Sequence, residues 1–130
     1  MGIIVWDNYQ LYSMALSSFV HRFDYQLAGV AASVEDIFRL LSCKKVDMAL
    51  LGVNLPDTGY ADVVRRIRSD YPAVKILANA NEGTAEIINA MMDAGMNGYI
   101  GKRQTNEHTF LEAIEKVMNG ERYIGRVDEK

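Results

Sequence analysis

Two ionisable side chains stand just past the ends of short apolar runs: Asp7 follows Ile3-Ile4-Val5-Trp6, and Lys102 follows Tyr99-Ile100-Gly101. A carboxylate so placed can cap the segment that comes next, or it can pair with the ammonium group. Two other run ends offer no chemistry. Gly52 closes Met48-Ala49-Leu50-Leu51, and Ala80 stands just beyond the run 74–78. The hydrogen atom of Gly52 and the methyl of Ala80 supply no nucleophile, no metal ligand and no hydrogen bond. His21 and His108 are isolated and lack metal-ligand spacing. The sequence holds no nucleophile–base set, no glycine-rich phosphate loop and no zinc pattern. These residues predict no catalytic group, no metal and no cofactor.

The elements that must position them follow from two alternating hydrophobic periods. Residues 3–6 read as a strand, and Leu11, Met14, Ala15 and Phe19 follow at helical spacing. Residues 27–31 predict a second strand. Ser33, with Asp36 three residues on, predicts a helix N-cap before Ile37, Phe38 and Leu41. Residues 48–51 predict the third strand, and Val63, Val64 and Ile67 the third helix. That helix should stop at Tyr71-Pro72, because proline disfavours helical geometry at the residue before it. Residues 74–78 form a fourth strand, and Ile88, Met91 and Met92 a fourth helix closed by Gly95. Tyr99-Ile100 gives a short fifth strand. Phe110, Leu111, Ile114, Val117 and Met118 give a last helix ending at Asn119-Gly120.

Strands this apolar, alternating with helices, imply a parallel sheet covered on both faces. The expected fold is α/β, a flavodoxin-like (βα)5 arrangement of a five-stranded parallel sheet flanked by five helices. Sites in such sheets form beyond the carboxyl ends of the strands, where Asp7, Gly52, Ala80 and Lys102 fall. One domain is expected over residues 1–124, with 125–130 as a polar tail or the start of a linker.

Composition narrows the function classes. The 130 residues are 49% apolar and 24% charged, as in an ordinary soluble domain. A net charge of -3 argues against this domain gripping a nucleic acid by itself. No apolar run approaches a membrane span, and the N-terminus lacks a signal peptide's basic stretch. The single cysteine, Cys43, rules out an internal disulfide and suits a reducing cytoplasm; it is expected to be packed. Arg65, Arg66 and Arg68 read as a solvated helix face.

Several motifs together resemble bacterial response-regulator receiver domains, in particular those of the NarL/LuxR class. They are Gly52-Val53-Asn54-Leu55-Pro56, Ala94-Gly95-x-x-Gly98-Tyr99, Gly101-Lys102 and the ending Asn119-Gly120-Glu121-Arg122-Tyr123-Ile124. The resemblance spans residues 3–124. It implies that Gly52 stands where such domains carry their phospho-accepting aspartate, and Ala80 where they carry a hydroxyl. Of the acid pair that holds magnesium, Asp7 is kept and Trp6 replaces the other. Lys102 and Tyr99 match the retained lysine and the switch aromatic, while Arg103 stands where many receivers have proline. Asp57, in the loop, matches a place usually held by a small residue and is not expected to take over as phosphosite.

The implied function is that of a pseudo-receiver: a phosphorylation-independent interaction module of a transcription regulator whose DNA-binding domain lies outside this chain. Two alternatives stand beside it. One is a small-ligand sensor using the vacated site or the face of the fourth helix; the other is a phosphorylatable receiver with a rearranged site. The fourth helix carries only Glu86 and Asp93 as charges. Beside its core stripe lie Ile87, Ala90 and Ala94. With Tyr99 on the neighbouring strand, Ile87 and Ala90 form the expected contact face for a homodimer or another regulatory protein.

Overall fold

The computed structural model describes residues 2–7, 10–22, 25–53, 59–80, 85–102 and 106–125, without the side chains of 10–12, 53 and 87. The strands are β1 (Gly2–Trp6), β2 (Gln26–Ala31), β3 (Met48–Val53), β4 (Lys75–Ala80), β5 (Gly98–Gly101) and β6 (Tyr123–Ile124). The helices are α1 (Gln10–Arg22), α2 (Val34–Cys43), α3 (Gly59–Asp70), α4 (Ala85–Ala94) and α5 (Glu107–Met118). All strands pair in parallel, in the order β2-β1-β3-β4-β5-β6. The sheet therefore grows in opposite directions from β1, and the crevice of an open α/β sheet opens at such a reversal.

Alternation along the strands divides the core. Ile3 and Val5 pack with Leu16 and Val20 of α1 and with Phe110, Ile114 and Val117 of α5. Ile4 and Trp6 pack on the other side, with Ile37 and Leu40 of α2, Val64 and Ile67 of α3, and Ile88 and Met91 of α4. A period of two on the strands and 3.6 on the helices thus produces one sheet between two helical layers.

Local chemistry fixes the ends. Ser33 Oγ accepts the Asp36 N–H at 3.1 Å, and Asp36 Oδ2 accepts the Ala32 N–H at 2.9 Å, so α2 starts where expected. Asn106 and Thr109 form a reciprocal capping box at α5. Helix α3 ends at Asp70, directly before Tyr71-Pro72. Gly95 ends α4 with φ +122°, a left-handed conformation that favours glycine.

Several expectations need correction. A sixth strand is present: Tyr123–Ile124 pairs with Gly98 and Tyr99 of β5, and the Gly125 N–H donates to the Tyr99 carbonyl at 2.9 Å. Two residues are too few to carry a period. In α1 the inward stripe holds Ser13, Leu16 and Val20, whereas Met14 and Ala15 face solvent. With no acid in its first turn and basic residues only in its last, α1 has no charged outer face to mark its register. Ala94 is buried, and Cys43 is exposed rather than packed. Arg65 and Arg66 are exposed, but Arg68 is not on a solvated face. Its guanidinium donates to the carbonyls of Pro72, Val74 and Gly95 and to Asn97 Oδ1, tying α3 to the end of α4. Asn54, Pro56, Asp57, Arg103 and the tail 126–130 lie outside the described residues.

Candidate functional site

Strand β1 pairs with β3 through Val5↔Leu50 and Trp6↔Leu51, so the next positions, Asp7 and Gly52, are neighbours at the carboxyl edge. Leu50 belongs to the α1–α5 side of the core, and by alternation a side chain at position 52 would point the same way. That space is taken. A Cβ built on Gly52 would overlap the Asp7 carboxylate and come within 2.6 Å of Asp7 Cβ. The Asp7 side chain lies over bare glycine backbone, in the room a larger residue at 52 would occupy.

Lys102, just beyond β5, completes the arrangement. Its Nζ stands 3.0 Å from Asp7 Oδ2, and the two side chains are 4% and 0% exposed. Burial of either charge alone would be costly; together they form a dry, neutral pair. The pair joins the carboxyl end of β1 to the end of β5.

The other site positions add packing rather than chemistry. Ala80 is buried with the α2–α4 layer. The β4 residue in register with Gly52 is Asn79, one position earlier. Its buried amide donates to the Ile100 carbonyl at 3.1 Å and braces β4 against β5 close to Lys102. Sequence reading missed Asn79, although a lone amide in the run Lys75–Ala80 was the available signal. Trp6 is buried, with its ring 5.6 Å from that of Tyr60 and tilted by 48°.

Magnesium does not fit this set. The ion requires several oxygen ligands in near-octahedral array. Among the described residues at this edge of β1 and β3 one carboxylate is present, Asp7, buried and engaged by Lys102, and Gly52 beside it offers no ligand. Among the described residues no cluster of three or more His, Cys, Asp or Glu could hold a metal.

The expected contact face is also altered. Tyr99 is 2% exposed and packs among the α2–α4 residues, so it presents no surface to a partner. Ala90 is exposed, together with Glu86, Asn89 and Asp93, while the side chain of Ile87 lies outside the described residues.

A doubly wound parallel sheet with an acid and a lysine at its carboxyl edge defines a regulatory domain of the receiver type. The chain belongs to the family described as response regulator receiver domain, which matches residues 3–115. That family is regulatory rather than enzymatic. Among curated proteins, the chain is similar to the probable transcriptional regulatory protein SgaR of Hyphomicrobium methylovorum. They are 28% identical over 104 residues, covering 80% of this chain and 49% of the relative. The chain thus spans about half the length of such relatives. Among solved structures, it resembles the isolated receiver domain of RcsB from Salmonella enterica serovar Typhimurium, with a TM-score of 0.84, 13% identity, and coverage of 97% and 94%. It also resembles a LuxR-family two-component response regulator from Aurantimonas sp. SI85-9A1, with a TM-score of 0.83, 23% identity, and coverage of 94% and 87%. At such identities the likeness establishes the fold.

Proposed function

We propose that this domain is a pseudo-receiver, a phosphorylation-independent interaction module of a LuxR-type transcription regulator. The observation that carries the reading is the seating of the Asp7 carboxylate over Gly52, in contact with Lys102. Phosphoryl transfer depends on a positioned nucleophile and on metal and cationic groups around the phosphoryl oxygens. At position 52 the nucleophile is absent, and the lysine that would receive a phosphoryl oxygen already holds an internal carboxylate. On this reading the domain is built in one charge-balanced state. Its output is contact with a second copy or another regulatory protein, and DNA is reached through a segment outside this chain.

The test is exposure to acetyl phosphate with magnesium, followed by intact-mass measurement, and a parallel titration with beryllofluoride. The protein should keep its mass, and its spectra should not respond to beryllofluoride. Stoichiometric, acid-labile addition of one phosphoryl group would overturn the proposal and favour a rearranged but working site.

A further inference from the structure

The most unusual surface lies away from α4, beside the first helix. From Asn8 to Val20 the sequence has no charged residue. Each of the other helices carries both exposed positions and charges, among them Glu35 and Arg39 in α2, Asp62 and Arg65 in α3, Glu86 and Asp93 in α4, and Glu107 and Glu115 in α5. Helix α1 meets water with Met14, which is 61% exposed, and with Ala15 and Ser18, and its basic residues, His21 and Arg22, are confined to the last turn. Across from it, Val30 near the end of edge strand β2 is 45% exposed. Among the described residues only one other large hydrophobic, Ile124, is comparably exposed. Two of the three therefore flank one place.

Between them is a hollow of about 760 Å³, lined by Asp7, Ser13, Met14, Ser17, Ser18, His21, Val30, Ala31 and Ala32. Its volume falls in the range of small-molecule sites, and an apolar wall with a few polar groups is the usual make-up of such sites. The lining selects by charge. Among the described residues that line it there is no lysine or arginine, so a phosphate or carboxylate ligand would find His21 as the one basic group there. The one carboxylate among the described lining residues, on Asp7, is engaged by Lys102 and its side chain is fully buried, so a cationic ligand gains no partner from it. What remains is a hydrocarbon surface from Met14, Val30, Ala31 and Ala32, edged by serine hydroxyls and an imidazole.

We infer that this hollow is a binding site for a neutral, amphipathic small molecule, with an apolar body against Met14 and Val30 and a hydroxyl or carbonyl toward the serines of α1. Because Asp7 forms part of its wall, a ligand here sits directly behind the buried Asp7–Lys102 pair. Occupancy would thus reach the strand-end site without any transfer of phosphate. The inference goes beyond the pseudo-receiver reading and is tested on the untreated protein, so either can fail while the other stands.

The probe is benzyl alcohol, with benzoate and benzylamine as charged analogues of the same size. Two-dimensional amide NMR of the ¹⁵N-labelled domain is the readout. Benzyl alcohol should give saturable shifts at Ser17, Ser18, Val30 and Ala32 with an affinity on the order of millimolar, as suits so small a probe. The charged analogues should bind about tenfold more weakly or worse. Val30→Arg and Ser18→Trp, both at exposed positions, should each abolish the shifts while the spectrum stays folded. No saturable shift, equal binding of benzoate, or full binding by both variants would overturn the assignment. If dilution alone moves the same amides and Met14→Arg disperses a dimer, a second copy of the chain covers the groove and the ligand site is refuted.

Discussion

Lys102 and Asp7 neutralise each other in a place that water does not reach, and either one alone becomes a buried charge without its counter-ion. Lys102→Met keeps the length of the side chain but removes its charge. It should lower stability by about 3–5 kcal/mol, measured by urea unfolding. Adding Asp7→Asn to that variant should recover much of the loss, and a double-mutant cycle then measures the coupling directly. If Lys102→Met unfolds at the wild-type midpoint, the pair does not hold the fold as described. Gly52→Ala tests the neighbouring contact. Its methyl must displace the Asp7 carboxylate, at a cost of about 1–3 kcal/mol for overpacking a tight site. An unchanged midpoint would mean that Asp7 has room to spare. The identities of these residues were legible in the sequence, because Asp7, Gly52 and Lys102 all fall at ends of apolar runs. Their arrangement was not. The lean of Asp7 over position 52 depends on a cross-strand vacancy, which exists only once β1 and β3 are in register.

Among the elements, α2 offers a measurable pH dependence. The Ala32 N–H, and then Arg39, hold the Asp36 carboxyl below its ordinary value of 3.8. The folded state thus binds this proton less readily than the unfolded chain does. The resulting stability is present above the unfolded value and is lost as pH falls through the folded one. Asp36→Asn should therefore lower Tm near neutral pH, with the gap to wild type closing on acidification below about pH 4. A gap that persists at pH 2.5 would assign the effect to packing instead. The elements also show where periodicity suffices. Capping and stop signals at Ser33, Pro72 and Gly95 act within a few residues, so they could be read directly. Arg68 could not, because its partners at Gly95 and Asn97 lie 27 and 29 residues further along the chain. The rotation of α1 was hidden for a related reason: with no charges on either side, Met14 and Ala15 look as fit for the core as Leu16 and Val20.

At the scale of the whole molecule, no helix of the described residues is long and apolar enough to cross a membrane. Self-association is the molecular property most open to test. With Tyr99 and Ala94 buried, the described part of any contact through α4 is Ala90 and the polar residues around it, and Ile87 is the position to test. Light scattering should find a dimer in the wild type, and Ile87→Asp should give a folded monomer. A wild-type monomer at high micromolar concentration would rule out a dimer built by this domain alone, and unfolding of Ile87→Asp would place Ile87 in the core. Strand β6 carries a separate consequence, for anchorage. It runs parallel to β5, with Ile124 level with Tyr99, so the last described residues head toward the sheet edge that holds Lys102. Gly125 is thereby moored to β5, at one side of a sheet that lies between two helical layers. Tension on that mooring falls on backbone hydrogen bonds that include Tyr123 N–H to the Asn97 carbonyl and Gly125 N–H to the Tyr99 carbonyl. They lie across the line of pull and must shear together, so a tug from outside is delivered to the backbone of β5 before any other part of the sheet.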